Sequence, residues 1–192
     1  MYERLLIVPR WSGRPDDDWY PWLERKLASH KPRLFGTVGA LNMPDPDDPT
    51  IEAWVGALTE LVGTDNALLG QTILVGHSVG CQAIMRYLAT LQPGAKVAGV
   101  LGVAGWWSVD QPWGSILPWM ETPFDVACVR SASAKFHVLI ADDDPFTPDF
   151  RQNRRLWEER VGATVTVVAG AQHFNGGREP SVLQALTALV GD

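Results

Sequence analysis

Runs of near-continuous apolar residues, each four to seven long, restrict this chain more than any other feature. Four stand out: Leu5-Leu6-Ile7-Val8, Thr72-Ile73-Leu74-Val75, Val97 to Val103, and Phe136-His137-Val138-Leu139-Ile140. Ala163 to Val168 makes a fifth, and Arg33 to Val38 a weaker sixth. An antiparallel strand wetted on one face alternates apolar and polar residues; runs apolar at every position suit parallel strands covered on both faces. Such strands require a crossover between them, and the intervening segments have helical spacing. Asp18 to Ser29 begins with acidic residues and carries Trp19, Trp22, Leu23 and Leu27, and Thr50 can cap a helix running to Val62. Ser78 to Leu91 ends at Pro93-Gly94, Pro148-Asp149 opens a helix to Val161, and Pro180-Ser181 opens one to Val190. Alternating strands and helices predict a mostly parallel sheet of about six strands, with helices on both faces and right-handed crossovers. Sites in that three-layer α/β architecture form outside the carboxyl ends of the strands.

The 192 residues suffice for one full hydrophobic core and suggest no second, so residues 1–192 are read as a single domain. Pro44-Asp45-Pro46-Asp47-Asp48-Pro49 reads as a turn-rich loop rather than a linker. A net charge of -6 argues against a nucleic-acid partner, whose phosphates demand a concentrated basic surface. The apolar run at Leu5 is too short for a membrane span or a signal-peptide core, so a cytoplasmic location and no membrane partner are expected. Cys81 and Cys128 fit a reducing compartment as small core hydrophobes.

Chemistry enters at the second strong run. Thr72 to Val75 leads directly into Gly76-His77-Ser78-Val79-Gly80, and a helical pattern follows at once through Ala83, Ile84, Tyr87 and Leu88. This is G-x-S-x-G between a strand and a helix, the setting of a nucleophile elbow. Glycines two residues to either side of Ser78 let strand and helix approach, and the sharp turn projects the hydroxyl clear of the chain. The helix start offers free N–H groups to a developing oxyanion, with Val79 N–H as one donor. The competing readings fare worse: helix capping by Ser78 ignores the glycines, and no Gly-Lys-Ser/Thr element follows to make a phosphate loop.

Serine needs a base, and the base needs an orienting carboxylate. Of four histidines, His137 sits inside an apolar strand, His77 within the elbow, and His30 at the end of an early helix. His173 follows the strand Ala163 to Val168 in a glycine-containing loop before the last helix, and matches the order Ser, acid, His of α/β-hydrolase folds. The acid is expected where Phe136 to Ile140 ends, in Ala141-Asp142-Asp143-Asp144-Pro145-Phe146. Mutual repulsion forbids burying all three carboxylates beside one imidazole, so one is expected to face the histidine. Spacing leaves the choice among them open, and also leaves open a hard cation on these oxygens.

The sequence resembles small serine hydrolases of the retinoblastoma-binding-protein-9 type and their bacterial relatives, nearly over its full length. The resemblance rests on Leu6-Ile7-Val8-Pro9, Trp19 and Trp22, Asn42-Met43-Pro44-Asp45-Pro46, Gly76-His77-Ser78, Met85-Arg86-Tyr87, Asp143-Asp144-Pro145-Phe146 and His173-Phe174. It implies that the acid is Asp144, the aspartate preceding Pro-Phe. Where relatives carry a glycine-rich turn after the first strand, this chain reads Pro9-Arg10-Trp11-Ser12-Gly13; the second oxyanion donor is expected from the Arg10 or Trp11 backbone. Neither cysteine lies in a Leu-x-Cys-x-Glu element, so a retinoblastoma-protein partner is not implied.

Gly105 to Pro123 holds Trp106, Trp107, Trp113 and Trp119 and is too short for a helical cap domain. Trp106, Trp107 and Trp113, with Phe174, are expected to line an apolar or aromatic acyl pocket. The expected activity is hydrolysis of a small ester, thioester or amide through an acyl-enzyme on Ser78, with no cofactor and no metal. The competing class is a catalytically weak member of the fold that binds a partner protein on the tryptophan-rich loop.

Overall fold

The computed structural model describes residues 1–191, with strands β1 Tyr2–Val8, β2 Phe35–Ala40, β3 Thr72–His77, β4 Gly99–Val103, β5 Phe136–Ala141 and β6 Thr164–Val168. Helices α1 Tyr20–Ala28, α2 Ile51–Leu61, α3 Asn66–Leu69, α4 Val79–Ala89, α5 Leu117–Glu121, α6 Val126–Ser131, α7 Phe150–Val161 and α8 Pro180–Gly191 fill the connections. The strands form one parallel sheet in the order β2-β1-β3-β4-β5-β6. Among the described residues no cap domain is inserted over it, and the architecture is that of the α/β-hydrolases.

Side chains alternate between the two covered faces, as the pleat requires. Leu5, Ile7, Ile73, Val75, Leu101, Val103, Leu139 and Ala141 pack with Trp19, Leu23 and Leu27 of the α1 region and with Val182 and Leu186 of α8. Val8, Leu74, Val100, Val138 and Ile140 face the opposite layer, with Trp54 and Leu58 of α2, Ile84 and Leu88 of α4, Val129 of α6, and Trp157 of α7. Every residue of β3 and β4 is buried, while β2 and β6 at the sheet edges are half-covered.

The element boundaries show where side-chain chemistry overrides periodicity. Helix α1 starts at Tyr20 rather than Asp18, because Asp18 has φ 50° and its carboxylate is committed to Arg10. The run from Val97 becomes regular strand only at Gly99, Val97 making an isolated bridge to Ser133. Thr50 and Asp149 cap α2 and α7, their side chains accepting the Ala53 and Gln152 amides. The tryptophan-rich segment contains the short helix α5, and α3 and α6 are two further helices of four and six residues, too short to carry a periodic pattern. Among the described residues no helix is long and apolar enough to cross a membrane.

Candidate active site

The strand order reverses beside β1 and β3, and the chain leaving these two strands together with β4, β5 and β6 surrounds one cleft of about 220 Å³. Ser78, at the end of β3, has φ 54° and ψ −117°, a conformation costly for a side chain with Cβ, and its hydroxyl makes no capping bond to α4. The glycines of the motif are obligatory on space alone. A Cβ on Gly76 would lie 2.7 Å from the Cys81 amide nitrogen, and one on Gly80 would lie 2.3 Å from the Val8 carbonyl oxygen. Both obstacles are backbone, so neither can swing aside.

Asp142, Asp143 and Asp144 divide their work. Asp142 accepts the Gly170 amide at 2.9 Å and Asp143 the Gln172 amide at 2.8 Å, so both hold the loop that carries His173. Asp144 is buried; its Oδ1 accepts the Phe146 amide at 2.9 Å, and its Oδ2 lies 2.8 Å from His173 Nδ1. That contact places the proton on Nδ1 and leaves Nε2 as the basic nitrogen. The carboxylates do not converge, and among the described residues no group of three or more His, Cys, Asp or Glu side chains is placed to hold a metal ion. Ser78 and His173 both line the cleft without a hydrogen bond between them; such contacts are often long before substrate arrives. The Ser78 hydroxyl instead accepts the Trp106 indole N–H at 3.3 Å.

The expected oxyanion donors separate. Val79 N–H opens α4 and has no carbonyl one turn back to bond. The Arg10 amide donates to the Tyr20 hydroxyl at 3.2 Å and is therefore engaged away from the cleft, while the Trp11 amide has no hydrogen-bond acceptor among the described residues. Trp11 is thus the donor available at the end of β1. The Arg10 guanidinium forks onto Asp18, at 2.7 and 3.2 Å, and reaches the Trp11 carbonyl at 2.8 Å. Burial works against its charge, but the bond and charge of Asp18, with Tyr20 and Asp17 nearby, together outweigh burial and raise its pKa.

Sequence reasoning missed the group that ties these loops together. Tyr20 receives the Arg10 amide, so its own proton goes to His77 Nδ1 at 2.7 Å; His77 Nε2–H then donates to the His173 carbonyl at 2.9 Å. The elbow imidazole is fully buried, and burial together with the neighbouring His173 holds its pKa well below the usual histidine range. It is a neutral strut between the β1 end, the elbow and the His173 loop. The paired polar atoms lie 57 and 96 residues apart, beyond any local pattern.

The aromatic residues also sort themselves. Trp106 and Trp113 line the cleft with Trp11, Val109, Ile116 and Phe146. Trp107 does not: it stacks on Phe124 and packs on Trp157 in the core. Phe174 is likewise removed from the pocket, wholly buried on the α1/α8 face, where it anchors the loop beneath His173. The periodicity of an irregular segment says nothing about which ring turns inward, and both expectations are corrected on that ground. Trp113 packs edge-on to Trp11 and Phe146, with centroids 5.4 and 6.2 Å apart, and Phe146 meets His173 at 4.7 Å. Trp113 and Phe146 remain 38% and 39% exposed, as the outer rim of the cleft.

The YdeN protein of Bacillus subtilis (strain 168) is 26% identical over 174 residues, covering 91% of this chain and 87% of YdeN. The crystal structure of the B. subtilis ydeN product superposes with a TM-score of 0.84 at 25% identity, covering 99% of this chain and all of that one. Est1E from Butyrivibrio proteoclasticus shares the fold at a TM-score of 0.70 and 11% identity, over 100% of this chain and 89% of its own. The type II thioesterase BorB of the borrelidin biosynthetic cluster does so at 0.64 and 21%, over 98% and 92%. The serine hydrolase family model matches residues 5–185, a span that contains the elbow, the three aspartates and the His173 loop, and the chain belongs to that serine hydrolase family.

Proposed function

We propose that this hydrolase cleaves a small, uncharged ester or thioester by way of an acyl-enzyme on Ser78. The observation that carries the reading is the buried Asp144–His173 contact at 2.8 Å beside a strained serine, in a single aromatic cleft. His173 Nε2 takes the Ser78 proton as Oγ bonds to the acyl carbon, and the carbonyl electron pair moves onto oxygen, facing the Val79 and Trp11 amides. Collapse expels the leaving group, which receives the proton from His173. Water, deprotonated by the same nitrogen, then repeats the attack and frees the acid and Ser78. Asp144 holds the imidazole tautomer and stabilises the cation that forms.

The cleft argues for an uncharged and short acyl group. Among the described residues its one Lys, Arg, Asp or Glu wall, Arg10, is already neutralised by Asp18, and about 220 Å³ lies below the roughly 300 Å³ at which drug-sized ligand sites begin. Est1E has been seen with ferulic acid bound, and BorB is a type II thioesterase; ester and thioester cleavage both fit the same machinery. A fluorophosphonate should label the wild type and not Ser78→Ala, and p-nitrophenyl acetate and butyrate should turn over faster than the octanoate. Equal labelling of both proteins would overturn the role of Ser78. An unlabelled protein inert toward all esters would favour a binding role for this fold.

A further inference from the structure

The indole N–H that reaches Ser78 Oγ is held in place with unusual care. Trp106 is almost wholly buried, and Ala104 at φ 49° turns the chain sharply as it leaves β4. A Cβ on the next residue, Gly105, would come within 2.9 Å of the Trp157 ring, so the segment is pressed against α7. The Asn153 amide nitrogen donates to the Gly105 carbonyl at 2.7 Å, and its oxygen accepts the Trp107 amide at 3.2 Å. From the other side the Gln82 amide nitrogen donates to the Trp106 carbonyl. The Gln82 side-chain oxygen accepts from Arg86 at 2.6 Å, and Arg86 is itself tied to the carbonyls of Trp119 and Thr122 at 2.7 and 3.0 Å. Arg86 is buried between the Trp119 and Phe124 rings, and among the described residues it has no carboxylate partner. A ring that merely filled the pocket wall would not need its own backbone clamped from both sides.

We propose that Trp106 is a catalytic residue, its indole N–H supporting negative charge on Ser78 Oγ during both acylation and deacylation. The inference rests on the acyl-enzyme reading above. An indole N–H is a donor only, so it occupies one lone pair of Oγ and cannot receive the hydroxyl proton, which is left to His173. As that proton passes to Nε2 and the Oγ–carbon bond forms, charge on Oγ passes through a maximum. Donation to a charged oxygen is stronger than to a neutral hydroxyl, so the contact is worth more at that point than in the resting enzyme. In deacylation the Oγ–carbon bond breaks, its electron pair returns to Oγ, and His173 delivers the proton, with the same donor on the same oxygen.

The test replaces the N–H while keeping an aromatic ring. Turnover of p-nitrophenyl acetate by Trp106→Phe, counted per fluorophosphonate-titrated site, should fall on the order of tenfold, the value of one hydrogen bond to a charge-bearing atom, with KM within about threefold. If Trp106→Phe yields no titratable sites, site-specific insertion of 3-benzothienylalanine, the sulfur isostere of tryptophan, removes the N–H from an unchanged shape. The same loss in kcat is expected there. Undiminished kcat, or a defect confined to KM, would reduce Trp106 to a pocket wall. The two readings separate cleanly: full activity in Ser78→Ala overturns the acyl-enzyme itself, whereas an inactive Ser78→Ala beside a fully active Trp106→Phe overturns only the role of Trp106.

Discussion

Removing one oxygen atom from the buried strut, in Tyr20→Phe, isolates the polar connection between the nucleophile elbow and its surrounding loops. Tyr20 is fully buried with its ring edge-on to Trp19 at 4.7 Å, and phenylalanine keeps that packing. The hydroxyl serves two partners, accepting the Arg10 amide at 3.2 Å and donating to His77 Nδ1 at 2.7 Å. A buried polar atom left unpaired costs about 1–3 kcal/mol. His77 Nδ1 is wholly enclosed and bears that cost, whereas Arg10 is partly exposed, so its amide contributes at the low end. Sparing the desolvation of the hydroxyl offsets part of the loss, which leaves a net destabilisation of about 2 kcal/mol. For a domain of this size that lowers Tm by about 4–8 °C. Thermal and urea denaturation measure it, with the urea m-value unchanged if only the native state is affected. In a His77→Ala background the same change should cost less than about 1 kcal/mol, because the acceptor has gone. A Tm within about 1 °C of wild type in Tyr20→Phe would refute the strut.

Three further outcomes follow from the geometry. Asp144→Asn should lower kcat for p-nitrophenyl acetate by about ten-thousand-fold, because an amide beside Nδ1 removes the orienting charge. Asp143→Asn, at a side chain whose one hydrogen bond among the described residues is from the Gln172 amide, should lose less than about tenfold, and steady-state kinetics on both variants compares them. Gly80→Ala forces a Cβ to within 2.3 Å of backbone and should cost about 3 kcal/mol or prevent folding, whereas Gly56→Ala, exposed in α2 with nothing within 4 Å, should add about 0.5–1 kcal/mol; urea melts read both. The depressed pKa of His77 makes stability depend on pH in one direction: the unfolded chain takes up a proton that the folded chain refuses, so stability is complete above the unfolded value near 6.5 and is lost as pH falls below it. Stability should fall by on the order of 1 kcal/mol between pH 7.5 and 5.5 from His77 alone, and His137, whose pKa is also lowered by burial, acts in the same sense; a flat urea midpoint over that range would contradict the assignment.

Local pattern carried a great deal here, for a physical reason. An apolar run buried on both faces, a capping threonine or aspartate, and a glycine on each side of a sharp turn are consequences of backbone geometry within a few residues. The parallel sheet, the ends of α2, α7 and α8, and the elbow around Ser78 could therefore be read from the chain directly. The position of His173 after the last strand follows from chain order in the same way. What no window of sequence contains is the pairing of atoms distant along the chain. Spacing leaves the choice among three adjacent carboxylates open and only the family resemblance points to Asp144; the folded molecule brings Asp144 against His173 and turns its two neighbours onto the amides of the same loop. It alone separates the Trp11 amide from the engaged Arg10 amide, and sends Trp107 and Phe174 into the core while Trp113 stays at the rim. It alone sets the Trp106 indole on the Ser78 hydroxyl and threads Tyr20 through His77 to the His173 backbone. These are choices among chemically similar neighbours. They are decided by which group reaches a partner across the sheet, and that reach exists only once the strands have been laid side by side.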